Sequence, residues 1–192
     1  MLQIEQTDTT SYALLWRPDG KRIAPWRWAA LLVATAAIAS GVFACVTPFV
    51  AFSVIAALSF DLAGALLVTT GVWIANQAVG FLVLSYPWTG ETLLWGLSIG
   101  GSSLLATVMA FQILDVAGRL SKLLAIAAAL AVAYSVYEVG LYVTAVFLGG
   151  TEEFTAAVLG DVARINALWA LGLGAAYQAR KQFRSAPLLS HM

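Results

Sequence analysis

The chain has 192 residues, of which 61% are hydrophobic and only 10% are charged, and its mean hydropathy is +0.87. Ten Lys and Arg residues balance ten Asp and Glu residues, so no net charge points to a nucleic-acid partner. This composition is typical of an all-α integral membrane protein surrounded by a lipid bilayer, not of a soluble domain. The single cysteine, Cys45, excludes an intrachain disulfide.

The first 25 residues are polar and of mixed composition. This segment therefore does not resemble a cleavable signal peptide. We predict a cytoplasmic or interfacial segment over 1–25. Trp26 and Trp28 supply an interfacial belt at the start of the first apolar run, where basic residues crowd. By the positive-inside rule, these basic residues keep the N-terminus in the cytoplasm.

The first helix is predicted over 26–46 and is rich in small residues. Ala30 and Ala34 form one row at i, i+4 spacing, and a second row contains Ala36, Ser40 and Ala44. Small residues at this spacing let another helix approach closely. The partner helix is either internal or part of a separate subunit.

The second apolar run, 49–58, is short enough to be a re-entrant segment, and Asp61 after it is placed to cap the next helix. Charge placement argues that it crosses. Further helices are then predicted over 62–84, 92–114, 123–147 and 154–177. With six transmembrane helices, Arg119, Lys122 and the basic tail all fall inside, whereas Glu91, Glu152 and Glu153 fall outside. We therefore predict a six-helix membrane domain over 26–179 and a basic cytoplasmic tail over 180–192, with both termini cytoplasmic.

Two amides interrupt the third helix. Trp73, Asn76, Gln77 and Gly80 recur at i, i+3, i+4, i+7, so a helix places them on one stripe. An amide in hydrocarbon is costly without a polar partner. These amides therefore either hold helices together or line a ligand site.

Glu138 in the fifth helix and Arg164 in the sixth are predicted at similar depth, roughly 13 to 15 Å from the outer end at about 1.5 Å per residue. Antiparallel neighbours would let them pair, and Asp161 is the alternative partner of Arg164. Tyr134 shares the face of Glu138 by i, i+4 spacing. The inner halves of the helices carry mainly small and apolar residues.

The concentration of polar residues in the outer halves of the helices supports two hypotheses. One is a structural ion pair with scattered interhelical hydrogen bonds. The other is a polar pocket open to the outer face that covers an amphipathic ligand. The candidate binding residues are Cys45, Trp73, Asn76, Gln77, Tyr86, Tyr134, Glu138 and Arg164. An inner half without charged residues argues for a binding subunit, not a pump.

Cys45 lies at the outer end of the first helix, just before Thr47 and Pro48. A lone cysteine in an apolar helix is either a small packed residue or, at the mouth of a pocket, a soft thiolate. Such a thiolate could ligate a transition metal carried by a ligand.

A G-x-S-x-G pattern spans 96–100, but the serine has no histidine base on a neighbouring helix, because the only histidine is His191. We therefore interpret the pattern as helix packing and not as the site of an intramembrane protease. The sequence contains no Walker A, HExxH, Rossmann or CxxC motif, so it shows no means of driving transport with ATP.

Three segments carry a resemblance to a known family: Ala44-Cys45-Val46-Thr47-Pro48-Phe49, Ala75-Asn76-Gln77-Ala78-Val79-Gly80-Phe81 and Tyr86-Pro87-Trp88. With its size and six-helix plan, the chain resembles the substrate-binding S-components of energy-coupling-factor vitamin transporters. It looks most like the cobalamin-specific BtuM type. The resemblance implies a subunit of the bacterial inner membrane that takes up vitamin B12.

The resemblance also implies specific roles for residues. Cys45 would correspond to the cysteine that ligates the cobalt of cobalamin, and its thiolate would displace cyanide, which makes the protein a binder that also modifies its ligand. Ala30 and Ala34 would dock a coupling subunit and its ATPases. The alternatives are an S-component or small transporter for another solute, and an assembly protein without a ligand.

Overall fold

The computed structural model describes residues 25–43, 47–117 and 121–185. The described chain is all-helical, with six α-helices and one short 3₁₀ turn, Thr151–Glu153. The helices are α1 (Pro25–Phe43), α2 (Phe49–Ser59), α3 (Leu62–Leu82), α4 (Gly90–Val116), α5 (Lys122–Leu148) and α6 (Ala156–Ser185). Each lies close to a predicted helix.

Four helices, α3 to α6, are long and apolar enough to cross a membrane. Their outward faces are apolar as well: Leu67 is 74% exposed and Phe147 is 82% exposed. Apolar side chains in such numbers on the outside of a bundle are expected when hydrocarbon, not water, surrounds it. The apolar parts of α1 and α2 are shorter, and the 11 residues of α2 extend for only about 16 Å.

Polar side chains fix where the helices begin. The Asp61 carboxylate accepts a hydrogen bond from the Gly64 backbone N–H at 2.9 Å, so the predicted cap of the third helix is confirmed. Thr89 caps α4 through the Thr92 N–H at 3.2 Å. Each cap satisfies a backbone donor that has no partner within its own helix.

Helix α2 forms the centre of the bundle. Residues 49–57 are all buried, and α2 packs against α3, α4, α5 and α6. An apolar helix without a polar face is buried either in lipid or in protein, and here four other helices surround it. The ambiguous second run is therefore a buried helix whose neighbours are protein on all sides.

Side-chain contacts show that successive helices reverse direction. At one end, the Trp28 indole near the start of α1 donates to Ser59 Oγ, the last residue of α2, at 3.0 Å. The Tyr177 hydroxyl, late in α6, donates to the Leu58 carbonyl at 3.3 Å, and the Arg180 guanidinium lies 5.1 Å from the Trp28 ring. We call this the Trp28 end and the opposite one, where α2 begins after Thr47, the Thr47 end.

Several helix boundaries differ from prediction by one residue or more, and the ends of the last and third helices are examples. The last helix was predicted to end at 177 but continues to Ser185, because charged and amide residues after Tyr177 lower the hydropathy without stopping the helix. The third helix ends at Leu82 instead of 84, where the chain turns and Ser85 adopts a φ of +56°. Both differences lie at helix ends, where hydropathy and hydrogen bonding need not coincide.

Candidate functional site

Four polar side chains meet at the Thr47 end: Ser40, Thr47, Asn76 and Gln77, which we call the Thr47 cluster. Asn76 Nδ2 donates to Ser40 Oγ and to Thr47 Oγ1, both at 3.0 Å. Gln77 Nε2 donates to Asn76 Oδ1 at 3.1 Å, and Ser40 donates to the Ala36 carbonyl. The predicted amides therefore join α3 to α1 and to the start of α2. These are the contacts expected if the amides hold helices together.

Trp73 and Gln77 face α4 and pack against two of its glycines. The Trp73 indole N–H donates to the Gly96 carbonyl at 2.8 Å. A Cβ added at Gly100 would lie 2.7 Å from Trp73 Cε2, and one at Gly96 would collide with the Gln77 amide. Only glycine lets the large side chains of α3 lie this close to the α4 backbone.

The G-x-S-x-G pattern thus serves helix packing, as the sequence analysis proposed. Gly96 and Gly100 accept side chains of α3, while Ser98 on the other side of α4 forms a hydrogen bond with Thr144 of α5. His191 lies outside the described residues. Among the described residues, the hydrogen-bond partner of this serine is therefore a hydroxyl.

Tyr86 packs on the last turn of α3. A Cβ added at Gly80 would lie 2.8 Å from Tyr86 Cδ2, and the Tyr86 backbone N–H donates to the Gly80 carbonyl at 3.0 Å. Next to it, Phe81 and Trp88 stack with ring centroids 4.3 Å apart. The turn after α3 is therefore folded back onto the helix by aromatic contacts.

A first cavity of about 270 Å³ lies on this face of α3 and is open and almost wholly apolar. Its lining residues are Trp73, Ile74, Gln77, Ala78, Phe81, Leu82 and Trp88. Among these described residues, Gln77 alone carries a side-chain amide. The predicted residues Trp73 and Gln77 thus both line this cavity, and Gln77 connects it to the Thr47 cluster through its bond to Asn76.

A second cavity of about 160 Å³ lies between α5, α6 and the start of α2. Its lining residues are Thr47, Tyr137, Glu138, Leu141, Glu153, Phe154, Val158, Leu159 and Val162. Glu138, one of the candidate binding residues, lines this cavity. Tyr134, another candidate, does not, and its hydroxyl donates to the Leu159 carbonyl at 2.6 Å. Tyr137, which was not among the predicted residues, lines the cavity. Its position next to Glu138 in the sequence was the one feature that could have indicated it.

Arg164 does not pair with Glu138. Its guanidinium contacts the Asp161 carboxylate at 3.2 Å, the alternative that the sequence left open, and the two side chains are 72% and 67% exposed. Val162 and Asn166 turn inward, and Arg164, two residues from each, points to the opposite side of α6. Arg164 therefore lies outside the second cavity.

Asn166 has a structural role that the sequence analysis did not assign. Its side chain is only 2% exposed, and its Oδ1 accepts a hydrogen bond from the Ala51 N–H at 3.1 Å. Its Nδ2 donates to the Val162 carbonyl at 3.0 Å. Asn166 thus satisfies a backbone donor in the first turn of α2 from a helix 115 residues away.

Cys45 lies outside the described residues, as does Ala44. In the second small-residue row, Ala36 and Ser40 are buried, and Ser40 bonds to α3, so this row has an internal partner. Ala30 and Ala34, by contrast, are exposed on α1. The two rows therefore face different surroundings.

Within the described ranges, no three His, Cys, Asp or Glu side chains lie close enough to hold a metal ion. The fold and the site define a multi-pass helical membrane protein in which the Thr47 cluster and both of the cavities described above lie at one end. Comparisons with protein families, curated proteins and solved structures find no match for this chain.

Proposed function

We propose that the protein is a membrane-embedded substrate-binding subunit for the uptake of vitamin B12 across the bacterial inner membrane. The cobalamin binds at the Thr47 end, which faces outward, with the Cys45 thiolate as an axial ligand of its cobalt. The carrying observation is that the separate segments on which the resemblance rests contact one another. Thr47 bonds to Asn76 at 3.0 Å, and Gly80 packs against Tyr86.

The position of Cys45 in the chain supports this assignment. Cys45 precedes Thr47 by two residues, and Thr47 belongs both to the Thr47 cluster and to the lining of the second cavity. A thiolate is a soft donor suited to a late transition metal. Since no described group of side chains can hold a metal by itself, the metal in this proposal arrives with the ligand.

The ligand chemistry is an exchange without oxidation or reduction. The thiolate sulfur gives an electron pair to Co(III), and the cobalt–carbon bond breaks with both its electrons leaving on cyanide. The thiol proton goes to solvent before the sulfur attacks. Binding of cyanocobalamin would thus release one cyanide per protein and leave a cobalt–sulfur bond.

The uneven distribution of polar groups supports a binding subunit open at one end. At the Trp28 end, Trp28 is 4% exposed and is covered by Tyr177 and Arg180. A corrinoid is larger than either cavity, the greater of which is about 270 Å³. Binding therefore requires the links at the Thr47 end to separate, and these links, 83–89 and 149–155, lie outside the long helices.

The proposed topology has six spans, with both termini cytoplasmic. The packing of Arg180 on Trp28 supports placing the ends of the chain on one side, and Arg27 and Lys122 lie at the same end. Helix α2 would cross as a short span shielded by protein, which removes the need for a full hydrophobic length. The exposed Ala30 and Ala34 would then form the surface on which a coupling subunit docks.

The test is the visible absorption spectrum of detergent-purified protein after incubation with cyanocobalamin and gel filtration. Wild type should retain a corrinoid band that is shifted from that of free vitamin. Cys45→Ser, which keeps a small polar side chain but removes the soft donor, should lose the shift. A colourless wild-type protein would contradict the cobalamin assignment and would favour a transporter subunit for another solute.

A further inference from the structure

The second cavity combines an apolar wall with polar groups at one side. Val158, Val162 and Leu141 supply the apolar wall, while Glu138 lies on α5 and Glu153 on the 3₁₀ turn. Among the described residues that line the cavity there is no Lys or Arg. The described lining is therefore negatively charged, without a cation of its own.

Tyr137 presents an unused hydroxyl to this cavity. Its side chain is 6% exposed, and its ring stacks on Phe49 with centroids 6.1 Å apart. The hydroxyl forms no hydrogen bond with the described residues, although every fully buried side-chain N or O among them has a partner. The hydroxyl is therefore reached through the cavity that Tyr137 lines.

Glu138 likewise forms no ion pair within the described ranges. Arg164, the cation considered from the sequence as a partner of Glu138, is instead bound to Asp161 on the outward face of α6. The Tyr134 hydroxyl is within hydrogen-bonding reach of both the Glu138 carboxylate and the Leu159 carbonyl, and its single proton is donated to the carbonyl at 2.6 Å. A half-buried carboxylate between membrane helices is costly unless a cation or a hydrogen-bond donor compensates it.

From this geometry we infer that the second cavity binds a small organic cation, a protonated amine with a short apolar body. The ammonium group contacts the Glu138 carboxylate and donates to the Tyr137 hydroxyl oxygen, with Glu153 adding charge at the rim. The apolar body lies against Val158 and Val162. A volume of about 160 Å³ suits a short alkylammonium and excludes a large ligand.

This site does not depend on the proposed role of Cys45. None of its charged groups belongs to the Thr47 cluster, which joins the cavity only through Thr47. Amine binding should therefore be unchanged in Cys45→Ala. Failure of the cobalamin proposal would leave the cation site standing, and the reverse also holds.

The test is isothermal titration of the purified full-length protein with butylammonium and, separately, with its neutral counterpart butan-1-ol. Wild type should bind butylammonium and not the alcohol. Glu138→Gln keeps the size but removes the charge, so affinity should fall about tenfold or more. Tyr137→Phe should weaken binding roughly threefold to tenfold, the value of one hydrogen bond.

Glu91→Gln is the matched control, since Glu91 is exposed in the first turn of α4 and does not line the cavity. It should bind butylammonium as wild type does. Equal binding of the alcohol, full affinity in Glu138→Gln or no binding of the amine to wild type would each overturn the inference. Gel filtration and melting temperature of each variant show whether it remains folded.

Discussion

Asn166 caps the first turn of α2, a role that usually belongs to the residue just before a helix. Pro48 stands before α2 and makes no side-chain capping bond, so the first turn of this buried helix needs an acceptor from elsewhere. Asn166 supplies it to the Ala51 N–H from α6. Because α6 packs against α2, this single amide connects the last helix to the centre of the bundle.

Replacing Asn166 with alanine should destabilise the protein by about 1 to 3 kcal/mol, because the Ala51 N–H is left buried without an acceptor. The measurement is the midpoint of denaturant-induced unfolding in detergent. Gln178→Ala, at an exposed position of the same helix, is the control and should change little. Equal stability of the two variants would show that the Asn166 bond contributes nothing.

The sequence did not predict how each helix is rotated about its axis. Counting residues from the helix ends placed Glu138 and Arg164 at one height, and the sequence kept Asp161 as the second partner of Arg164. Whether Arg164 pairs with Glu138 or Asp161 depends on which side of α6 faces α5. The packing of Val162 and Asn166 determines this side. Periodicity within one helix cannot specify the orientation of its neighbour.

At the scale of elements, the contact between α3 and α4 is formed by large side chains of α3 that pack against glycines of α4. Trp73 lies over Gly100 and donates to the Gly96 carbonyl, and Gln77 lies over Gly96. The side chains of α3 thus fill the space that a Cβ on α4 would occupy. The interface has both a shape constraint and a hydrogen bond, which fix the register of the two helices.

Two adjacent glycines of α4 provide a matched test of this interface. Gly100→Ala should destabilise by about 1 to 3 kcal/mol, because its Cβ would lie 2.7 Å from Trp73 and the ring is held by its bond to Gly96. Gly101→Ala, where nothing lies within 4 Å, should be neutral or more stable by up to about 1 kcal/mol. Thermal unfolding of both variants checks the order, and destabilisation by Gly101→Ala alone would contradict it.

Helix existence was more predictable than helix role. All six helices and the Asp61 cap followed from apolar runs and one capping residue. The central position of α2 did not, because a run of ten apolar residues fits a re-entrant, a core or a spanning segment equally well. Its burial depends on contacts with α3, α4, α5 and α6, which no local pattern records.

For the molecule as a whole, polar groups with access to cavities collect at the Thr47 end, while hydroxyls nearer the middle pair with each other. Thr69 and Thr107 are buried and share a hydrogen bond of 2.8 Å between α3 and α4. The sequence predicted this difference between the two halves. What it could not predict is that the polar groups divide into two cavities on either side of the Thr47 cluster.

The proposed topology predicts which positions a membrane-impermeant maleimide reaches in right-side-out vesicles. In a Cys45→Ala background, Glu91→Cys and Glu152→Cys should be labelled, because both lie at the Thr47 end. Lys122→Cys, at the start of α5, should be labelled only after permeabilisation. Labelling of Lys122→Cys from outside at the rate of Glu152→Cys would contradict the orientation.

The central claim is a bond between the Cys45 sulfur and cobalt, and the most direct measurement is cobalt K-edge X-ray absorption of the gel-filtered complex with cyanocobalamin. The proposal predicts one sulfur bonded to cobalt in wild type and none in Cys45→Ser, with one cyanide released per bound corrinoid. A wild-type complex in which cobalt keeps only carbon and nitrogen neighbours, with cyanide still bound, would contradict the claim even if the vitamin remained attached.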